Sequence, residues 1–180
     1  MPESSLPHEW RGHAVVQVGV PELEEWIVRR TRHYDVRFVS ADPGFRHAHI
    51  TVLAPLQCWS SDAIATIAAS TAPFDFALRC IRVFPNGCIH LPPEPDADFR
   101  TLTRRVWDAH PDTIPNGAPD PAPHLTLDLA SPEVSLTSTR HLLGDAIPVL
   151  CRAEALELVW YEAGSCHLIE RWPLGSDEER

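Results

Sequence analysis

HAHITVLAPL at His47–Leu56 and HLTLDLA at His124–Ala130 repeat one pattern, His49-Ile50-Thr51-Val52 and His124-Leu125-Thr126-Leu127. Both runs are short, aliphatic and partly β-branched, which reads as strand. Side chains alternate between the two faces of a strand. His49 and Thr51 therefore share one face, with Ile50 and Val52 on the other. His124 and Thr126 stand opposite Leu125 and Leu127 in the same way. Each strand turns an aliphatic face to a core and shows an imidazole and a hydroxyl on the reverse.

Working outward, similar elements follow each strand. Before the first come a strand at His13–Val20 and a helix opened by Pro21 in PELEEWIVRRTRHY. Proline in the first turn, glutamates behind it and arginines near the end are a helix signature. After the first motif the sequence predicts a helix over Ser61–Ser70. A hairpin follows, from Phe76–Phe84 through the Pro85-Asn86-Gly87 turn to Cys88–Leu91. The second half predicts a helix over Asp98–Ala109, a Pro/Gly-rich loop, the second motif and a helix over Ser135–Leu143. It closes with a hairpin, Ala153–Tyr161 and Cys166–Trp172 around Gly164. Helix and hairpin recur after each motif, so an internal duplication is the economical reading.

Random placement of 10 His and 10 Thr in 180 residues gives roughly half of one His-x-Thr, so a single copy carries no weight. Two copies in aliphatic strands, at the same station of a repeated layout, carry more. The chemistry explains the pairing. Histidine titrates near neutral pH, so one imidazole serves as base while its partner serves as acid. A threonine two residues on can donate to a phosphate oxygen. Two such strands facing across a cleft grip one phosphate from both sides, as in-line displacement requires.

Composition bounds the partners. The chain has 180 residues, is 44% hydrophobic and carries a formal net charge of −10. All its basic residues are arginine. That balance argues against a duplex-DNA binder, while leaving room for an RNA end or a small nucleotide in a local cationic cleft. Five cysteines without a CxxC pair argue against a disulfide framework and for a reducing cytoplasm. No signal peptide or membrane span is read. A monomer is expected.

The two motifs resemble those of the two-histidine (2H) phosphoesterase superfamily, in particular its 2′-5′ RNA ligase-like / RNA 2′,3′-cyclic phosphodiesterase branch. The resemblance covers about residues 12–173, with AHITVLAPL similar to the first motif and PHLTLDLA to the second. It implies an α+β, bilobal, pseudo-twofold fold, with two antiparallel sheets around a central cleft and helices outside. The expected division is a lead-in over 1–11, one domain over 12–173 with lobes 12–95 and 96–173 free to exchange strands, and a polar tail over 174–180. It also implies His49 and His124 as the acid–base pair, Thr51 and Thr126 holding the phosphate, and no cofactor. The reaction implied is hydrolysis of a 2′,3′-cyclic phosphate to a 2′-phosphate, with reversible 2′-5′ ligation beside it. Some members carry an arginine shortly after the second motif. Here Asp128-Leu129 stands there, and alternation points Asp128 into the cleft, where its charge opposes a phosphate.

Weaker candidates for substrate binding are His47, which shares parity with His49, and Arg46, Phe45 and Tyr161. Two alternatives stay open: a non-catalytic nucleotide-binding module, and a zinc hydrolase using His47, His49 and His124. Trp26, Trp107 and Trp160 are expected in the core, and Cys58 and Cys80 as small buried hydrophobes.

Overall fold

The computed structural model describes residues 12–176. The expected lead-in and residues 177–180 of the expected tail lie outside the described residues. The architecture is mixed α+β, with four α-helices and ten strands among the described residues, all strand pairings antiparallel and no closed barrel.

In chain order the first half runs β1 (His13–Gly19), α1 (Glu24–Tyr34), β2 (His49–Leu56), α2 (Ser61–Ala69), β3 (Phe74–Leu78), β4 (Arg82–Val83), β5 (Cys88–Leu91) and β6 (Pro93–Glu94). The second half runs α3 (Ala97–Asp108), β7 (Leu125–Leu129), α4 (Leu136–Leu143), β8 (Val149–Ala153), β9 (Ala155–Tyr161) and β10 (His167–Pro173). Local chemistry places the helix ends. Pro21 opens a short 3-10 turn that leads into α1, whose first turn holds Glu24 and Glu25 and whose last turn holds Arg32 and His33. Ser60 caps α2 by accepting from the Ala63 N–H at 3.2 Å, and Ser135 and Ser138 close a capping box at the start of α4.

Three sheets form, in the orders β10-β9-β1-β2, β4-β5-β7 and β6-β3-β8. The β9–β10 hairpin of the second half completes the sheet that holds β1 and β2. The β4–β5 hairpin of the first half pairs with β7 of the second. The first two sheets flank the cleft, and β2 and β7 adjoin across it. In β2, Ile50 and Val52 are buried while His49 and Thr51 are half-buried, the alternation expected. The main core gathers Val16, Ile50, Ile64, Phe99, Leu125 and Leu156 from both halves. A smaller cluster of Val15, Phe45, Ala54, Val159 and Cys166 forms separately.

Three expectations need correcting. The strand expected over Phe76–Phe84 is two strands in two sheets. β3 pairs with β8, Phe76 opposite Cys151, and only β4 forms the Asn-Gly hairpin with β5. The break at Arg79–Ile81 frees β3 to reach a partner from the other half, which local pattern does not encode. β8 itself forms where the sequence predicts no strand. Cys58 and Cys80 are exposed, not buried, because they fall in the connections after β2 and after β3. Trp26 is buried, and Trp107 and Trp160 pack partly buried against the core.

Candidate active site

His49 opens β2 and His124 immediately precedes β7. Each ring is held the same way. His49 Nδ1 lies 2.8 Å from the carbonyl oxygen of His47, and His124 Nδ1 lies 2.7 Å from that of Ala122. A carbonyl only accepts, so Nδ1 carries the proton in both rings, and Nε2 is the atom left to take or give one. His49, Thr51, His124 and Thr126 all line one cavity of about 350 Å³. The loop before His124 adds Pro115, Asn116 and Ala122 to its wall. The Asn116 N–H donates to the Ala54 carbonyl at 3.0 Å, which ties that loop to β2.

The two histidines have different neighbours. The Tyr161 hydroxyl oxygen lies 3.3 Å from His49 Nδ1, within reach of the same N–H. Burial pushes the Tyr161 pKa well above its ordinary value, so the phenol stays neutral. On the other side, His124 meets Phe84 edge-on at 4.9 Å and His90 at 5.3 Å between ring centroids, and Phe84 stacks on His90 at 3.7 Å. Burial lowers the pKa of both catalytic candidates. His49 falls to about 4, against the opposing pull of the His47 carbonyl and the Glu24 charge. His124 is also lowered, against the pull of the Ala122 carbonyl.

His47 does not face a substrate with a free nitrogen. Its Nδ1 lies 2.7 Å from Glu24 Oε1, and its Nε2 accepts from the Ser40 N–H at 3.0 Å. Both ring nitrogens are spent, so the zinc set of His47, His49 and His124 does not form. Among the described residues no group of three or more His, Cys, Asp or Glu is arranged to hold a metal. Glu24 also accepts from the backbone N–H groups of His47 and Ala48, at 3.0 and 2.8 Å. It thereby fixes the carbonyl that orients His49. Burial raises the Glu24 pKa, but those hydrogen bonds outweigh it and hold the carboxyl below its ordinary value.

Phe45 is 2% exposed, its ring packed against His47 and Tyr161 at 4.8 and 5.1 Å, so protein occupies the faces a base would use. Arg46 lines neither this cavity nor the one beside it; its stem passes over Gly19. Asp128 is not the free charge expected. It is 2% exposed and accepts from Arg30 Nε at 2.8 Å and Nη2 at 2.5 Å, from the Tyr34 hydroxyl at 2.7 Å and from the Thr139 hydroxyl at 2.6 Å. Strand parity predicts a side, not what covers it, and here α1 and α4 close over the carboxylate.

A second cavity of about 480 Å³ shares His49, Thr126, Phe38 and Tyr161 as walls with the first. Its other side is α1, through Ile27, Arg30, Thr31 and Tyr34. Sequence reading missed these residues and His90. A helix predicted to lie outside gives no sign that one face borders the cleft. His90 had a weak signal, the Cys88–Leu91 strand that ends up beside the second motif.

The sequence profile of the 2′-5′ RNA ligase superfamily matches residues 20–165, more than half of the chain. The chain belongs to the 2′-5′ RNA ligase superfamily. It is therefore a 2H phosphoesterase by family, and its chemistry is of the phosphoester type. Solved structures agree on the fold of this superfamily member. TT0787 of Thermus thermophilus aligns with a TM-score of 0.61 at 18% identity, over 92% of this chain and 99% of that one. E. coli LigT complexed with 3′-AMP aligns with a TM-score of 0.56 at 16% identity, over 90% and 97%. No curated protein matches. No helix among the described residues is long and apolar enough to cross a membrane.

Proposed function

We propose that this 2H phosphoesterase hydrolyses the 2′,3′-cyclic phosphate of an RNA end or small nucleotide without a metal, using His49 and His124 as base and acid. One observation carries the reading: two imidazoles, each with Nδ1 tied to a carbonyl and Nε2 left to exchange protons, share one cavity with two threonine hydroxyls. His49 has the more depressed pKa and serves as the base. It takes a proton from water as the water oxygen bonds to phosphorus. The P–O3′ bond breaks, His124 protonates the leaving oxygen, and a 2′-phosphate remains. Thr51 and Thr126 donate to the phosphoryl oxygens. With a 5′-hydroxyl in place of water, the same steps in the same direction form a 2′-5′ linkage, and their reversal has the 3′-oxygen displace the 5′-oxygen and restore the cyclic phosphate. E. coli LigT has been crystallised with 3′-AMP and with ATP, which supports an occupant of nucleotide size.

The test is incubation with nucleoside 2′,3′-cyclic phosphates and short cyclic-phosphate RNAs in EDTA, with product isomers identified. His49→Ala and His124→Ala should each lower kcat by about 10²–10⁴-fold with the fold retained. Full turnover by either variant rejects the assignment. Tight binding with intact nucleotide recovered marks the non-catalytic binding module instead.

A further inference from the structure

The second cavity shares His49 and Thr126 with the reaction cavity, but the chemistry above assigns it no occupant. It adjoins the reaction cavity at those two residues, and its wall is mainly apolar, with Ile27, Phe38, Leu127, Leu129 and Tyr161 among the lining residues. At its mouth Tyr34 is 49% exposed and Leu129 is 55% exposed, so apolar side chains stand in solvent. The polar groups around it are largely committed. Arg30, the one cation among the described lining residues of either cavity, is neutralised by Asp128 through two hydrogen bonds. The Tyr34 hydroxyl donates to Asp128 and accepts from the Leu129 N–H at 3.2 Å. The Thr31 hydroxyl donates to the Ile27 carbonyl at 2.9 Å, and Asp35 is held by Arg37 at 2.6 Å.

Such a cavity selects by shape and apolar area. Pockets of this size and lining bury the uncharged part of a small ligand. Binding to a nucleic-acid strand depends on unpaired Lys and Arg against successive phosphates, and these walls offer none among the described residues. We propose that the second cavity receives an uncharged, largely apolar group of a substrate bearing a single phosphodiester, and that the enzyme disfavours longer polyanions. The proposal rests on the phosphodiesterase reading and narrows it to small monophosphate diesters. A nucleobase face and a hydrophobic alcohol share this chemistry.

Four cyclic phosphates with the same reacting ring separate the cases: adenosine 2′,3′-cyclic phosphate, octane-1,2-diol cyclic phosphate, glycerol 1,2-cyclic phosphate and an oligoribonucleotide ending in a 2′,3′-cyclic phosphate. The expected kcat/KM for the better of the first two exceeds that for the glycerol ester by about 30–100-fold, from apolar burial alone. Whichever of the two leads identifies the source. The oligoribonucleotide should be no better than adenosine 2′,3′-cyclic phosphate, and the latter's rate should change by less than about twofold between 50 and 200 mM salt. Thr31→Phe fills the cavity from α1 and should bring the preference over the glycerol ester close to one. Leu129→Arg, at an exposed position, places an unpaired cation at the mouth and should raise relative turnover of the oligoribonucleotide about fivefold or more.

Equal kcat/KM across the panel, or a preferred oligoribonucleotide with steep salt dependence, overturns the proposal. If no ester is hydrolysed, the phosphodiesterase reading fails separately. Calorimetry then decides the cavity. Adenosine 2′-phosphate should bind at least about tenfold more tightly than glycerol 2-phosphate, and Thr31→Phe should abolish the difference. Equal binding to the wild type overturns the proposal in that case too.

Discussion

His49 and His124 present the same nitrogen from the same hydrogen-bond geometry, yet burial depresses them unequally, and that difference is measurable. As base, His49 must be neutral, so kcat/KM falls as pH drops through a value of about 4. As acid, His124 must be protonated, so kcat/KM falls as pH rises through its own pKa, which burial holds below 6.5. The profile of kcat/KM reports the free enzyme's groups. The expected bell therefore peaks on the acidic side of neutrality, and an alkaline optimum would reverse or remove the assignment. A second residue-scale prediction concerns the ion pair that covers β7. Arg30→Ala leaves the Asp128 carboxylate buried without its countercharge and should destabilise the fold by about 3 kcal/mol in urea titrations. Adding Asp128→Asn should recover at least half of that, because a neutral amide needs no counterion. Independent additivity of the two changes would mean the pair is not coupled.

At the scale of elements, the β4–β5 hairpin carries Phe84 and His90 to the edge of His124, so its geometry bears on the acid. Its turn places Gly87 at φ +88°, in the region that disfavours residues with a Cβ. Gly87→Ala should cost about 1 kcal/mol of stability. It should also lower kcat more than the stability loss explains, since the turn sets the register beside β7. Unchanged kcat would show that the hairpin only packs. The turn itself was legible from Pro85-Asn86-Gly87, as was α1 from its proline and glutamates. These features are encoded within a few residues. β8 and the division of β3 from β4 were not legible. Their pairing energy comes from strands more than 70 residues distant in sequence, Phe76 opposite Cys151 for example, and no local pattern reports it.

The whole molecule should lose stability on acidification, and the sign follows from proton uptake. Burial lowers the pKa of His13, His49, His90 and His124 below 6.5. Between 6.5 and those folded values the unfolded chain binds more protons than the folded one, so stability falls with pH across that window. His49, lowered to about 4, accounts for up to about 3 kcal/mol of this by itself. Tm should fall steadily from about pH 7 to about pH 5. A flat profile would mean that these imidazoles are not held neutral in the native state.

The sequence by itself determined the two His-x-Thr strands, which of their faces is aliphatic, and the family to which they point. Those are local matters of strand alternation and side-chain type. Only the tertiary structure decided that one cavity holds both histidines, that His47 has no nitrogen to spare, and that Asp128 is cancelled by Arg30 from a helix nearly one hundred residues earlier. Each of these depends on which groups from distant segments come to lie within hydrogen-bond reach. That is set by how the two halves trade hairpins and pack a shared core, and the period of a strand carries no trace of it.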